Sequence, residues 1–437
     1  MALLITEINH HDGAQAPDAG PDAVNGHDAQ ENPSSPSSTE AEGVTTYGII
    51  RQYLLERVPE FQRLTDLRRQ GWERKEGDVF FEKQRRDADN ANVDEKTAYY
   101  FYQLMRKIAG ELHTNTGALR VSPRAARRAA VTAASEAGAP PARILDMCAA
   151  PGGFLEVALS KNPGAHAVAF SLPESLGGHR MLLPQNANVT LKFLDVTMLA
   201  ADMGMNVTET GTRVETITTT ATMGIPDDHP DKENFILERQ LQSEQLFDLV
   251  LCDGQVLRTH KDHRAPYRER REASRLTLTQ LALGLEHLRP GGTLIALLHK
   301  LEAWDTLFLL RTFNRFSHVR AFKPRAGHAK RSSFYLVAKG VNSDAPEAKR
   351  AVRRWKEGWR VATFGSEEEY KDRDALVGVG DDRGSAVGVE DVLEEFGERF
   401  VELGRRVWDI QARALEDAPF MNGSGGRRGS RRQRGGD

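Results

Sequence analysis

The chain has 437 residues, 59 Lys and Arg against 62 Asp and Glu, a formal net charge of −3 and a hydrophobic fraction of 39%. This composition indicates a soluble protein with one large domain and extensions, or with two to three domains. The balance of charge excludes a polycation, so a nucleic acid could bind only at a local basic patch. The 2 cysteines exclude a disulfide scaffold and a zinc module built from several cysteines, and no metal is expected.

The sequence contains no apolar run that approaches the roughly 18 residues of a membrane span. The apolar opening, Met1 to Ile5, is followed so soon by Glu7 that it is too short for a signal peptide. We therefore expect an intracellular protein, in the nucleus or the cytoplasm, that does not bind membranes.

The N-terminal third is predicted to pass from a disordered leader into helices. The leader, residues 1–45, is predicted because the stretch from about Gly13 to Gly43 has almost no large apolar side chain and cannot offset its ordering entropy. Residues 46–135 form a helical extension, with helical spacing that begins at Ile49 and returns in an aromatic-rich run from Tyr99 to Ile108. We expect these helices to dock onto another structure.

After Pro141, short apolar runs alternate with helical stretches, which is typical of βαβ units around a parallel sheet. Seven strands are predicted, at residues 143–148, 165–171, 189–194, 247–252, 293–298, 319–322 and 333–338. A helix is predicted from Ser274 to Leu288. The pattern predicts one doubly wound α/β domain over residues 140–340, with an insertion at about 202–244 that includes a hairpin near 214–222.

The C-terminal segment is predicted to continue as a charged linker and then an amphipathic helix within residues 341–420. The helix runs from about Val389 to Leu415, with apolar residues in steps of three and four that suit packing on the domain or against a partner helix. Residues 421–437 form an Arg-rich tail that suits nucleic-acid binding, nuclear import or simple solubilisation.

The segment from Ile144 to Phe154, ILDMCAAPGGF, carries the strongest functional signal. A strand leads into a loop of small residues that opens a helix, so backbone N–H groups can approach a ligand closely. The spaced glycines of a dinucleotide fingerprint and the Gly-Lys-Ser/Thr of a P-loop are both missing. The motif Asp-x-x-Ala-Ala-Pro-Gly-Gly resembles the cofactor loop of two families of S-adenosylmethionine-dependent RNA methyltransferases, the FtsJ-like ribose 2′-O-methyltransferases and the Nop2/Sun-like cytosine-5 methyltransferases.

Cysteine usage separates these two families. Cytosine-5 chemistry needs a thiolate nucleophile, which that family carries in Pro-Cys and Thr-Cys motifs that this sequence lacks. Cys148, inside the loop, and Cys252, at a strand end, are interpreted as small apolar fillers.

Two later segments also resemble the FtsJ-like family. Residues 247–254 resemble the strand that ends in the family's catalytic Asp, here Asp253, and residues 289–300 resemble the strand that ends in its catalytic Lys, here Lys300. Residues 323–338 resemble its closing hairpin. The resemblance implies a Rossmann-like, seven-stranded methyltransferase sheet with helical N-terminal and C-terminal extensions. Asp253 and Lys300 each end an apolar strand at the carboxyl edge of the sheet, where open α/β sheets bind ligands.

The resemblance also assigns the S-adenosylmethionine site. The residues expected to bind the cofactor are Asp146, Cys148, Ala149, Pro151, Gly152, Gly153, Phe154, Ser171, Asp195 and Asp253. Asp195 ends the third strand, where it could accept a hydrogen bond from the adenine amino group or simply cap the turn. Ser171 stands where the family has the acid that binds the cofactor ribose, with Glu174 as the nearby substitute.

The catalytic tetrad of the family, Lys-Asp-Lys-Glu, is incomplete. Ser333 stands at the position of the Glu and cannot supply a negative charge. For the first Lys, Lys107 competes with Arg127 and Arg128, and Lys107 is favoured because Arg cannot accept a proton.

A basic segment that follows Asp253 is a candidate RNA-binding surface, or else a salt-bridged surface helix. Its cationic residues are Arg258, His260, Lys261, His263, Arg264, Arg268, Arg270 and Arg271. Tyr267 offers a face on which a base could stack.

Three hypotheses follow. The first is S-adenosylmethionine-dependent methyl transfer to RNA, at a ribose 2′-oxygen, with Asp253, Lys300 and Lys107 as catalytic residues. The second is a catalytically degenerate methyltransferase fold that acts as an RNA-binding or interaction module. The third is methylation of a small molecule or a protein.

Overall fold

The computed structural model describes residues 45–90, 94–121, 140–205, 224–371 and 388–421. The predicted hairpin near 214–222, nearly all of the predicted leader, and the Arg-rich tail from residue 422 lie outside these ranges. No helix in the described part of the chain is long and apolar enough to cross a membrane.

The centre of the molecule is a seven-stranded sheet with the order β3-β2-β1-β4-β5-β7-β6. The strands are β1 (Arg143–Asp146), β2 (His166–Ser171), β3 (Val189–Phe193), β4 (Phe247–Cys252), β5 (Leu288–Leu298), β6 (His318–Phe322) and β7 (Phe334–Val341). Neighbouring strands from β3 to β5 pair in parallel, and β7 is antiparallel to both β5 and β6. The predicted doubly wound α/β fold is confirmed.

Ten α-helices surround the sheet in the described part of the chain. They are α1 (Thr46–Arg57), α2 (Pro59–Trp72), α3 (Lys75–Asn90), α4 (Glu95–Thr116), α5 (Gly153–Lys161), α6 (Arg268–Glu286), α7 (Trp304–Asn314), α8 (Pro346–Phe364), α9 (Glu367–Lys371) and α10 (Val389–Glu416).

Strand β4 shows why the inner strands are apolar throughout. All six of its residues are buried, since helices cover both faces of the sheet. Val250 and Cys252 contribute to one hydrophobic core, which includes residues of α1, α2, α6, α7, α8 and α10. Leu249 and Leu251 point the other way, into a second core with α4 and α5.

The N-terminal and C-terminal helices pack together on the first of these faces. The rings of Phe61 on α2 and Trp408 on α10 are 5.3 Å apart in an edge-to-face arrangement. Arg68 of α2 forms an ion pair with Glu302, which follows β5, and donates a hydrogen bond to Gln411 of α10. Helix α10 has nearly the bounds predicted from its apolar stripe.

Two predictions about helices need correction, one after residue 340 and one before residue 274. The charged stretch that follows residue 340, predicted as a linker, forms helix α8, because Trp355 and Trp359 bury one face of it against the domain. The helix predicted from Ser274 begins at Arg268 instead. Its first turns carry buried Arg268 and Arg275, whose charges are paired with Glu272 and therefore do not need solvent.

Candidate active site

The loop between β1 and α5 brings backbone close to neighbouring segments, as its small residues predict. Gly152 has φ of 99°, and a Cβ there would lie 2.8 Å from Cβ of Leu183. A Cβ on Gly153 would lie 2.2 Å from the carbonyl oxygen of Tyr102 on α4. Glycine is therefore required at both positions, the first by backbone conformation and the second by packing.

A cavity opens beside this loop at the carboxyl ends of the parallel strands. Predicted residues Cys148, Ser171, Asp195 and Asp253 all line it, so the structure brings together residues of four different loops. Other lining residues are Met105, Met147, Ala150, Leu172, Val196, Gln255, Leu257 and Leu276.

The remaining predicted loop residues build the turn rather than the cavity wall. The backbone N–H of Ala149 donates to the carbonyl of Phe170, and the carbonyl of Pro151 accepts from Leu182. The ring of Phe154 is buried, with its centroid 5.7 Å from that of Tyr335. Burial raises the pKa of the Cys148 thiol, which fits the predicted role of a small neutral filler.

Asp146 and Asp253 form a buried pair of carboxyl groups beside the cavity. In each, Oδ2 is buried and has no hydrogen-bond partner among the described residues. Burial raises the pKa of Asp253 to about 7. Burial also raises the pKa of Asp146, and the charge of Asp253 raises it further. One of the two carboxyl groups can therefore hold a proton near neutral pH.

Asp195 has a contrasting environment. Its Oδ2 accepts a 2.6 Å hydrogen bond from Arg268, and its Oδ1 accepts from the backbone N–H and the hydroxyl of Thr197. Burial by itself would raise the pKa of Asp195, but the hydrogen bond from His260 and the charge of Arg268 hold it well below its usual range. Asp195 is therefore ionised and largely saturated with partners.

Asp195, His260 and Glu272 are close enough to hold a metal, with ligand atoms within 4.8 Å of one another. The Arg268 guanidinium lies between the acids, 2.6 Å from an oxygen of Asp195 and 2.6 Å from one of Glu272. The positive charge that these carboxylates need is thus supplied by a side chain of the chain itself.

Lys300 follows β5 at the carboxyl edge of the sheet, as predicted, but its side chain is exposed and its backbone is in the left-handed region with φ of 46°. The preceding residue, His299, points inward instead, and its Nε2 lies 3.1 Å from Nε2 of Gln255, which lines the cavity. Burial, followed by the charge of Lys323, lowers the pKa of His299 to about 3, so the ring is neutral.

Ser333 is buried, and its hydroxyl lies 2.6 Å from Nδ1 of His328. Its carbonyl oxygen accepts a 2.7 Å hydrogen bond from Nζ of the buried Lys323. The ring of His328 meets Tyr335 edge-on at 5.9 Å. A Ser–His pair thus stands where the family motif has Glu. The sequence identified the missing charge at Ser333 but did not single out His328 or His299, although both lie within segments that resemble the family, because their partners are known only from the packing.

Lys107 is not brought to the site. It is exposed on α4, two residues after Met105, which lines the cavity. Two residues correspond to about 200° around a helix, so these side chains point in nearly opposite directions. Arg127 and Arg128, the alternatives, lie outside the described residues.

The basic segment after Asp253 is divided between the interior and the surface. Arg268 and Arg271 are buried, the first with Asp195 and Glu272 and the second with Glu367. The ring of Tyr267 packs edge-on against His229 at 5.2 Å, and the Arg275 guanidinium lies over its face, 5.7 Å from the ring centroid. Arg258, Lys261, His263 and Arg270 are exposed, whereas Arg264 is half-buried.

The sheet order, the glycine loop and the acid-lined cavity define an α/β domain of the methyltransferase type. Residues 131–341, a little under half of the chain, match the model of the FtsJ-like methyltransferase family. The match confirms the resemblance inferred from the motifs, and similarity to this family implies S-adenosylmethionine as the cofactor.

Solved structures of several enzymes show weaker similarity. A Plasmodium falciparum protein assigned as a ribosomal RNA methyltransferase is 18% identical, with 51% of this chain and 98% of that chain covered and a TM-score of 0.28. A Corynebacterium glutamicum protein assigned as a spermidine synthase is 14% identical, with 53% and 68% covered and a TM-score of 0.27. TrmN from Thermus thermophilus is 16% identical, with 46% and 44% covered and a TM-score of 0.23.

At these TM-scores the similarities carry no argument about function. No curated protein matches the sequence.

Proposed function

We propose that the chain is an S-adenosylmethionine-dependent RNA methyltransferase that transfers a methyl group to a ribose 2′-oxygen. The observation that carries the proposal is Asp253, which ends β4, lines the cavity and has a buried Oδ2 without a partner among the described residues. The family supports methyl transfer, and the motifs that resemble the FtsJ-like 2′-O-methyltransferases support the choice of RNA ribose.

The residues of the cavity fit the cofactor. The small side chains of Cys148 and Ala150 leave room beside the loop, and the unpartnered Asp253 oxygen suits a ligand that carries positive charge or N–H donors. Ser171 would face the cofactor ribose. Asp195 would accept from the adenine amino group by exchanging one of its present contacts, since a carboxylate has about four acceptor positions and Thr197, Arg268 and His260 occupy them.

When bound, S-adenosylmethionine supplies a methyl group on a positively charged sulfonium, which an oxygen nucleophile can accept. A ribose hydroxyl is a poor nucleophile and must lose its proton as it reacts. With a pKa of about 7, Asp253 can accept that proton at Oδ2 near neutral pH. The charge of Asp253 in turn raises the pKa of the buried Asp146, so ionisation of the first carboxyl group disfavours ionisation of the second.

His299 and Gln255 would complete the acceptor side of the site in place of Lys300. They lie between the cavity and the end of β5, and both present neutral hydrogen-bonding groups. We assign them a positioning role, because the neutral His299 ring cannot supply the positive charge of a lysine.

Cofactor binding can be tested without knowing the substrate. We would titrate S-adenosylmethionine into the full chain by calorimetry and compare Leu257→Trp, which fills the cavity, with Leu237→Trp, the same change at a side chain 47% exposed. Saturable binding that only Leu257→Trp removes is expected. Failure of the folded, unmodified chain to bind would overturn the proposed activity.

The acceptor atom can be tested with RNA and substituted RNA. Once a methylated nucleotide is located in total RNA by its resistance to alkali, an oligonucleotide with a 2′-deoxyribose at that nucleotide should accept no methyl group. Continued methylation of the 2′-deoxy oligonucleotide would show that the acceptor is a base, and the ribose assignment would be wrong.

A second candidate, a degenerate methyltransferase fold that binds RNA or a partner, is favoured by two observations. The side chain of Lys300 is exposed. At the position of the family's Glu, the Ser333 hydroxyl contacts Nδ1 of His328, and neither residue is an acid. This candidate predicts RNA binding without methyl transfer. It also predicts that Ser333→Glu would create or raise activity, whereas a site rebuilt around the Ser333–His328 pair would lose activity on the same change.

A further inference from the structure

The aromatic run on α4 presents two neighbouring tyrosines to solvent. Tyr99 is 57% exposed and Tyr100 is 62% exposed, whereas Phe101 and Tyr102 of the same run are buried in the contact with the domain. Single exposed aromatic residues are common on protein surfaces, but two adjacent tyrosines offer two separate aromatic faces, about 100° apart around the helix, to neighbouring bases.

Basic residues flank these tyrosines along the helix. Lys96 precedes Tyr100 by four residues and Lys107 follows it by seven, so with Gln103 they form one stripe at spacings of four, three and four. Both lysines are exposed. On the loop that follows β2, Arg180 comes within 4.0 Å of Glu95, so one of the few acids near the tyrosines is already opposed by a cation.

Contacts with helix α5 fix the position of the helix that carries the two tyrosines. The ring of Tyr99 lies 6.2 Å from that of Tyr102 at an interplanar angle of 33°. Burial, together with a hydrogen bond to Glu156 of α5, raises the pKa of the Tyr102 hydroxyl to about 12. Arg106 also forms an ion pair with Glu156 at 2.5 Å. Helix α4 is thereby fixed to the helix that begins at the cofactor loop.

The tyrosines also lie near the cavity. Met105, which lines it, is five residues from Tyr100, about 8 Å along the helix axis and about 140° around it. The tyrosines therefore lie on the outer side of the helix, and its inner side meets the cavity. A single strand of several nucleotides, with steps of about 3.4 Å between stacked bases, would pass around the helix to reach both places.

We propose that Tyr99 and Tyr100, flanked by Lys96 and Lys107, form a stacking surface for single-stranded RNA beside the active site. Aromatic side chains that stack on bases, with cations that meet phosphates, are the features by which proteins bind single strands. The inference rests on the proposed RNA methyltransferase function. It assigns to α4 a role that Arg268 and Arg271 do not fill, because both are buried in ion pairs.

The test is binding of a labelled single-stranded oligoribonucleotide of about 12 nucleotides, within the size range of single-strand sites, followed by fluorescence anisotropy without S-adenosylmethionine. Tyr99→Ala and Tyr100→Ala should each raise Kd at least about fivefold, and Tyr100→Phe should bind like the unmodified chain because it keeps the stacking ring. Tyr47→Ala is the matched control, at a tyrosine on α1 that is 44% exposed.

Lys107→Ala should weaken binding and lower the slope of log Kd against log salt concentration by about 0.7, the value for one phosphate contact to a single strand. RNA binding that is unchanged by both tyrosine substitutions, or reduced equally by Tyr47→Ala, would overturn the inference. Because the assay needs no cofactor, that result can be told apart from failure of the calorimetric titration, which bears on the enzymatic function alone.

Discussion

Two clusters of buried charge lie side by side at the carboxyl edge of the sheet. Around Asp195, after β3, each carboxylate has a cationic partner, and the pKa of Asp195 is held low. At Asp253, after β4, the carboxylate has a buried oxygen without a partner among the described residues, and burial raises its pKa to about 7. A buried charge with full partners is costly to break because the remaining charge would be left uncompensated, whereas one without partners is available for chemistry.

The largest expected effect is on the unpartnered carboxylate. Asp253→Asn removes the proton acceptor and keeps the shape, so we expect the rate of methyl transfer to fall about 10²- to 10⁴-fold. The melting temperature should not fall, since the change removes a poorly solvated charge. Radiolabelled methyl incorporation and thermal unfolding measure the two effects. A variant that kept its rate would show that Asp253 accepts no proton.

A change in the cluster of Asp195, Arg268 and Glu272 should lower the free energy of unfolding. Arg268→Met leaves Asp195 and Glu272 buried without their shared cation, so the free energy of unfolding should fall by about 3–5 kcal/mol. Urea unfolding measures it. Lys261→Met, which breaks an exposed ion pair with Glu269, is the matched control and should leave the midpoint unchanged. Equal stability of the two variants would contradict the comparison.

The pH dependence of methyl transfer should follow Asp253. The carboxylate must be ionised to accept a proton, so the rate should rise about tenfold per pH unit below pH 7 and level off above it. A rate that stays constant between pH 5.5 and 8 would exclude this role.

The titration of Asp253 should also change the free energy of unfolding, which should fall with pH where the rate of methyl transfer rises. Between about pH 4 and pH 7 the folded state holds a proton on Asp253 that the unfolded chain has lost, so the free energy of unfolding falls as pH rises, by at most about 1.4 kcal/mol per unit. Asp253→Asn should reduce this slope. An unchanged slope in the variant would assign the titration to another group.

The smallest effect is expected at Lys300. Because its side chain is exposed, Lys300→Met should change the rate of methyl transfer less than about threefold. His299→Ala, beside Gln255, should lower the rate more, and the pH profile should keep its midpoint near 7 if His299 only positions the acceptor. A hundredfold loss in Lys300→Met would restore the lysine to the catalytic centre.

Neighbouring positions show how far the sequence could predict this site. The pattern that predicted β4 also predicted that Asp253 would end it at the ligand edge, because strand periodicity and sheet topology are enough for that. The same reasoning chose Lys300 at the end of β5, where its side chain is exposed. Only the packing shows that the preceding residue, His299, contacts Gln255, which lines the cavity.

The basic segment after Asp253 shows a second limit. Its composition fitted either a phosphate-binding surface or a salt-bridged helix, and both remained open. Arg268 pairs with Asp195, which precedes it by 73 residues, and Arg271 pairs with Glu367, which follows it by 96. Contacts over such separations leave no local pattern in the sequence.

The sequence by itself determined the seven-stranded sheet, the glycine loop after β1, the acids that end β3 and β4, and the helix from Val389. Each of these depends on local spacing, on backbone conformations that only glycine adopts, or on the periodic burial of one strand or helix. Only the tertiary structure decided which charges are buried and which of them have partners. Desolvation and ion pairing depend on segments that meet in space, so Asp195 and Asp253, alike in the sequence, differ in the folded chain.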